Sequence, residues 1–302
     1  MPPALPDFIP PMLARQGQPF DSEEHLFEIK WDGTRAQARI EGGQARLTNR
    51  RRRDLTGRYP ELGFLGGFGD GLLLDGEIVV LHDGKPDFGR LMSREQARSN
   101  LKIAGLAKSM PVTYIAFDLL YQDGESVMRQ PLRERRDRLR QAATSWENPA
   151  CVVSSGIVGG GVDYFQAAVD QELEGVIAKR LDDPYEPGKR SGSWLKIKRT
   201  QVIQCAILGF VTNGGALRSL IIAAEVSGQL RCVGKVGSGI STAMGERLMQ
   251  LLGPRLRPDP WLECEIDGQW VEPGLYCVVG YLELTRAGHL RAPVFRDLVV
   301  DE

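Results

Sequence analysis

The chain has 302 residues, 42% of them hydrophobic and 25% charged, and a net charge of −1. That is enough for two domains of ordinary soluble composition, and no apolar run approaches the ~18 residues needed to cross a bilayer. A pI near 6.4 excludes a uniformly basic nucleic-acid-binding protein but leaves room for a basic face, because positive charge concentrates in Arg50-Arg51-Arg52-Arg53 and again over residues 179–199.

The proline-rich start, residues 1–13, has no charged-then-apolar signal pattern, so a cytoplasmic location is expected. Residues 27–30 read as a short strand, Asp32-Gly33 as a turn, and residues 35–40 as a second strand. Gly42-Gly43 is a turn signal before a third strand at 44–48. Residues 72–74 and 78–81 read as strand segments flanking Asp75-Gly76, with Asp75, like Asp32, bracing a turn. Residues 112–121 form a strongly apolar strand. Pro131 suits the first position of a helix, PLRERRDRLRQAA, whose arginines are expected on a solvated or DNA-facing side. A second helix spans 164–173, and strands follow at 174–180 and 193–198.

After Thr200 the texture changes. Strands are expected at 202–211, 217–226, 230–236, 261–266 and 276–284, with one helix at 242–252. Five short strands with an inserted helix suit an OB-fold barrel. The expected organisation is therefore α+β: residues 1–200 as a domain of antiparallel sheets with flanking helices, and 201–302 as an OB-fold. Cys151, Cys205, Cys232, Cys264 and Cys277 make no C-x-x-C pair, and His25, His82 and His289 lie far apart. Buried free thiols are expected, rather than a disulfide framework or a zinc site.

Several charged residues sit where apolar strands predominate. Lys30-Trp31-Asp32-Gly33 places a lysine at a strand end, where desolvation or neighbouring cations can make an amine nucleophilic. Leu74-Asp75-Gly76-Glu77-Ile78-Val79 and Glu174-Gly175-Val176-Ile177-Ala178-Lys179 each put a carboxylate in an apolar strand. In Ser193-Trp194-Leu195-Lys196-Ile197-Lys198 the two lysines share one strand face. A buried face carrying two lysines calls for anions. Together these residues describe a cleft for a triphosphate and a magnesium ion, which is held by few carboxylates plus phosphate oxygens.

In this order the motifs K-W-D-G-T-R (30–35), D-G-E (75–77), Y-I-A-F-D (114–118), E-G-V-I-A-K (174–179) and W-L-K-I-K (194–198) resemble those of the covalent nucleotidyltransferases. That superfamily comprises DNA ligases, RNA ligases and mRNA capping enzymes, and the sequence is most similar to short bacterial ATP-dependent DNA ligases, including the ligase module of end-joining enzymes. The resemblance extends through Val236-Gly237-Ser238-Gly239 and residues 290–295. It implies a nucleotidyltransferase (adenylation) domain followed by an OB-fold, and nick sealing through AMP carried on Lys30. Glu28 corresponds to the adenine-reading position, Glu77 to the ribose-binding residue and Phe117 to the aromatic that stacks on adenine. Arg35 and Arg50 correspond to arginines contacting the nucleotide and the nick phosphate, Glu174 to the metal ligand, and Lys196 and Lys198 to the pair that neutralises the α-phosphate. The implied cofactors are ATP and Mg²⁺, with Mn²⁺ as an alternative. The implied partners are nicked duplex DNA and end-joining or repair proteins, with no membrane; a monomer associated with the nucleoid is expected.

With the first motif at residue 30, no DNA-encircling domain is expected before it. The last motif departs from the family: Val299 stands where an arginine that orients pyrophosphate is expected, leaving Arg291 or Arg296 to substitute. The other readings are an RNA ligase or capping-type guanylyltransferase, separable by nucleotide and substrate choice, and a non-catalytic nucleic-acid-binding protein, separable by the absence of bound AMP.

Overall fold

The computed structural model describes residues 5–282, 284–285 and 287–299. Residues 300–302, the acidic end of the last motif, and the first four residues of the proline-rich start fall outside the described residues. The chain divides between Lys198 and Arg199 into two compact units.

The first unit runs through β1 (Leu13–Gln16), β2 (His25–Ile29), β3 (Thr34–Glu41), β4 (Gln44–Asn49), β5 (Leu72–His82), β6 (Lys85–Pro86), α1 (Phe88–Gln96), α2 (Asn100–Ser109) and β7 (Val112–Gln122). It continues with β8 (Glu125–Ser126), α3 (Leu132–Ala143), β9 (Cys151–Val153), β10 (Gly156–Val158), α4 (Gly161–Asp170), β11 (Gly175–Arg180) and β12 (Arg190–Lys198). One sheet is ordered β1-β12-β11-β2-β10 and the other β4-β3-β5-β7-β8, with β6 and β9 added on β5 and β7. Pairing is antiparallel except for β1 with β12 and β7 with β9.

Each sheet covers its own core. Alternate residues of β3, β5 and β7, among them Ala36, Ala38, Ile78, Tyr114 and Ala116, pack with Leu62 and Leu65 of a 3-10 segment and Leu91 of α1. Phe27, Val176, Ala178 and Ile197 pack against Ala168, Tyr164 and Phe165 of α4. A smaller cluster of Met12, Leu73, Leu120, Tyr185 and Trp194 takes residues from both sheets, so the sheets meet there.

Asp75-Gly76 is not a turn. Both residues lie inside the continuous strand β5, whose register against β7 shifts between them. Gly76 is required by a close approach: a Cβ there would lie 2.7 Å from the hydroxyl of Tyr114, which donates to the Ala36 carbonyl at 3.0 Å. The arginines of α3 are not all solvated either. Arg135 and Arg136 are buried, because with Leu132 and Leu139 they form the helix stripe that faces the sheet. The helix expected at 164–173 starts earlier and ends earlier, as α4.

The second unit contains β13 (Gln201–Asn213), β14 (Ala216–Val226), β15 (Gln229–Val236), α5 (Thr242–Leu252), β16 (Leu256–Arg257), β17 (Gln269–Val271), β18 (Tyr276–Tyr281) and β19 (Val294–Val299). The long β13 pairs with β14, with β17 near Phe210 and with β18 near Cys205. Backbone bonds from Leu290 N–H to the Val233 carbonyl (2.9 Å) and from Phe295 N–H to the Ser238 carbonyl (2.8 Å) draw the far end of the sheet back towards β15. Leu248 and Leu252 of α5 close the core. This is an α+β protein whose second unit is an OB-type barrel.

Seven strands are present in the described part of this unit rather than five. Residues 261–266 are irregular. Their alternation reflects one packed face, Trp261, Leu262, Cys264 and Ile266 lying against Leu208, Ile221 and Ala223, without a ladder partner. Cys232 and Cys264 are joined in a disulfide, against the expectation of free thiols throughout; Cys151, Cys205 and Cys277 are free and buried. Cysteines 32 residues apart in sequence become neighbours because the irregular segment folds across β15.

Candidate active site

Lys30 follows β2 directly, and its N–H donates to the Gly175 carbonyl at 2.9 Å, which holds it beside the start of β11. Gly33 lets the following strand begin against β5: a Cβ there would lie 2.9 Å from Val79 Cγ1 and 3.0 Å from Glu77 Cγ. The Lys30 ammonium pairs with Glu174 Oε2, and Lys198 pairs with Glu174 Oε1. Lys196 lies two residues before Lys198 on the same face of β12. Its pKa is lowered, first by burial and then by Lys198, Arg190 and Lys30. Glu77, near Lys30 and Arg35, is pushed up to about 8, because burial outweighs those two cations. At neutral pH it is therefore largely uncharged, and three lysines share the charge of one carboxylate, Glu174. Lys30 and Glu174 keep 21% and 22% of their side chains exposed, so the cationic surplus is open to an anion.

Arg35, Asp75 and Tyr185 form the floor beside this cluster. Arg35 binds Asp75 with two bonds, Nε to Oδ1 at 3.0 Å and Nη2 to Oδ2 at 2.7 Å, and donates from Nη1 to the Met12 carbonyl at 2.7 Å. Its guanidinium lies 5.3 Å from the Phe117 ring centre and 5.4 Å from that of Trp194. The nearby carboxylate drives the Arg35 pKa higher still despite burial.

A buried polar corner adjoins Phe117. Glu28 is almost wholly buried; it pairs with Lys179, and Arg136 Nη2 lies 3.1 Å from its Oε1. The two cations hold one oxygen each and fix the carboxylate beside Phe117. Lys179 sits 4.4 Å from the Phe117 ring centre and 4.6 Å from that of Trp194, and burial lowers its pKa. Arg136 also donates to the carbonyls of Phe117 and Ser154. Asp118, the next residue, binds Arg135 of α3 through Nε at 2.8 Å and Nη2 at 2.9 Å, with both side chains fully buried.

Lys30, Arg35, Glu77, Glu174, Lys196 and Lys198 are thus brought together, with Glu28 and Phe117 in the adjoining corner. Arg50 is exposed in the turn after β4, and no hydrogen bond or ion pair among the described residues joins it to the cleft. Arg291 and Arg296 are exposed in the second unit. Lys179, Arg136 and Tyr185 were not anticipated as site residues. The signals were Lys179 ending an apolar strand and Arg136 on the Leu132–Leu139 stripe; Tyr185, in a loop, carried none. Among the described residues no group of three His, Cys, Asp or Glu is placed to hold a metal. The donors are hard carboxylate oxygens, Glu174 foremost, which suits a cation completed by phosphate oxygens.

Residues 11–198 match the family model described as ATP dependent DNA ligase domain, and residues 213–302 match the ATP dependent DNA ligase C terminal region. Similar curated proteins include a multifunctional non-homologous end joining protein LigD from Pseudomonas aeruginosa, 33% identical over 99% of this chain and 36% of its own length. Another protein of that name, from Mycolicibacterium smegmatis, is 33% identical over 99% of this chain and 39% of its own length. The chain therefore spans little more than a third of these relatives. Among solved structures, a mycobacterial DNA ligase D complexed with ATP and MES is 31% identical, with a TM-score of 0.59, covering 98% of this chain and 96% of that one.

Proposed function

The chain belongs to the ATP-dependent DNA ligase family, and from that premise we propose that it seals nicks in duplex DNA by way of AMP carried on Lys30. The observation that carries this reading is the gathering of Lys30, Lys196 and Lys198 around the single carboxylate of Glu174. The Lys30 amine, once deprotonated, forms an N–P bond to the α-phosphorus of ATP as the P–O bond to pyrophosphate breaks. AMP then passes to the 5′-phosphate of the nick, and the 3′-hydroxyl displaces it to make the phosphodiester.

Each remaining side chain acts on charge or position. Lys196 and Lys198 offset the charge that builds on the α-phosphate. Phe117 offers a face to adenine, Glu28 accepts from its amino group, and Glu77, largely protonated at neutral pH, hydrogen-bonds the ribose. Arg35 meets the nucleotide and nick phosphates, and exposed Arg50 meets the DNA backbone. Glu174 would hold Mg²⁺, or Mn²⁺ in its place, and the ion would supply further neutralisation of the phosphates. The family match supports DNA rather than RNA as substrate, and the end-joining relatives point to break repair as the setting.

The test is sealing of a labelled nicked duplex with ATP and Mg²⁺. The native chain should seal it, and Lys30→Ala should lose at least ~10³-fold in rate, as expected for removal of a covalent nucleophile. Retained sealing by Lys30→Ala, or a preference for GTP or nicked RNA, would contradict the proposal.

A further inference from the structure

Tyr185 lies in the loop between β11 and β12 of one sheet, while Arg35 and Asp75 belong to the other. Its hydroxyl donates to Asp75 Oδ2 at 2.7 Å and accepts from the Met12 N–H at 3.0 Å, with Arg35 Nη2 at 3.4 Å. The hydroxyl, with one hydrogen and two lone pairs, is fully used. Met12 is gripped twice, since its carbonyl accepts from Arg35 Nη1. The ring is held edge-on by Trp194 at 5.8 Å between centres. The loop is fixed as well: Tyr185 N–H donates to the Met128 carbonyl and Gly188 N–H to the Pro10 carbonyl, both at 2.8 Å.

Asp75 is wholly buried, and among the described residues its side chain accepts hydrogen bonds from Arg35 and Tyr185. The two bonds between Arg35 and Asp75 fix these side chains to each other, but the pair can still tilt together as one unit. A second donor arriving from the opposite sheet removes that freedom. We infer that Tyr185 is a positioning residue: by bonding Asp75 and Met12 across the junction of the two sheets, it locks the Arg35 guanidinium in the cleft in the orientation that phosphate binding uses. The inference rests on the proposed role of Arg35 in contacting phosphate. Local packing alone would require only the ring, whereas the lock requires the hydroxyl, which separates the two explanations experimentally.

Tyr185→Phe keeps the ring and removes the bonds. Sealing by Tyr185→Phe, Arg35→Lys and the double variant is compared with the native chain, using kcat and KM for nicked DNA, with melting temperatures recorded beside them. Tyr185→Phe is expected to lose about tenfold in kcat/KM, a magnitude consistent with an unmade buried hydrogen bond. Because Tyr185 acts through Arg35, the double variant should lose no more than Arg35→Lys alone. Native activity in Tyr185→Phe, or losses that multiply in the double variant, would overturn the inference while leaving the ligase reading intact. If Arg35→Lys seals at the native rate, the role of Arg35 falls and the inference with it. A melting temperature of Tyr185→Phe below the assay temperature would assign its loss to unfolding and would also overturn the inference.

Discussion

Burial sets the charge of Glu77, and this has a consequence for stability. Its folded pKa is about 8 against an ordinary 4.5. Between those values the unfolded chain has given up the proton and the folded chain keeps it, so each rise in pH favours unfolding. The contribution of Glu77 to stability is fully present below about 4.5, falls as pH climbs to about 8 and is level above that. Glu77→Gln cannot ionise, so the difference in melting temperature between variant and native chain should widen in favour of the variant across this window, measured without nucleotide. Parallel curves would show that the carboxyl is ionised in the folded chain. Lys30, Glu77, Glu174, Lys196 and Lys198 were legible in the sequence because an ionisable group in an apolar strand needs a reason to be there. Asp75 was legible only as a turn residue, since its partner Tyr185 is 110 residues away and no local pattern reports such a pairing.

At the scale of elements, α3 carries the contrast between buried and solvated arginines. Arg135 loses all contact with water and is offset by Asp118, whereas Arg140 pairs with Asp137 at the surface. Arg135→Ala leaves Asp118 charged and unpaired in the interior and should cost about 3–5 kcal/mol. Arg140→Ala should cost less than about 0.5 kcal/mol. Urea unfolding of both variants measures the difference, and equal losses would mean that the buried pair does not anchor the helix. The stripe of Leu132, Arg135, Arg136 and Leu139 was visible in the sequence as an i, i+3, i+4, i+7 pattern, yet arginine at two of its positions made it read as solvated. Residues 261–266 show the converse, an alternation that looked like a strand and is a packed strap. Residues 294–299, by contrast, form a strand that their sequence did not announce, because pairing with β18 supplies its bonds.

At the scale of the whole molecule, each unit has its own core, and the succession of sheets with flanking helices followed by a barrel was legible from strand texture and the change after Thr200. The cleft was not legible as geometry. It is assembled from β2, β11 and β12 on one side and β3, β5 and β7 on the other, and its ion pair of Lys30 with Glu174 joins residues 144 positions apart. Only the ordered motifs indicated that these segments meet. Lys30, rather than the two lysines beside it, is the residue proposed to take AMP. The direct measurement is mass mapping of peptides after incubation with ATP and Mg²⁺, without DNA. The expected result is one acid-labile AMP adduct on the peptide containing Lys30, absent from Lys30→Ala. An adduct on Lys196 or Lys198, or none on any lysine of a folded chain, would contradict it.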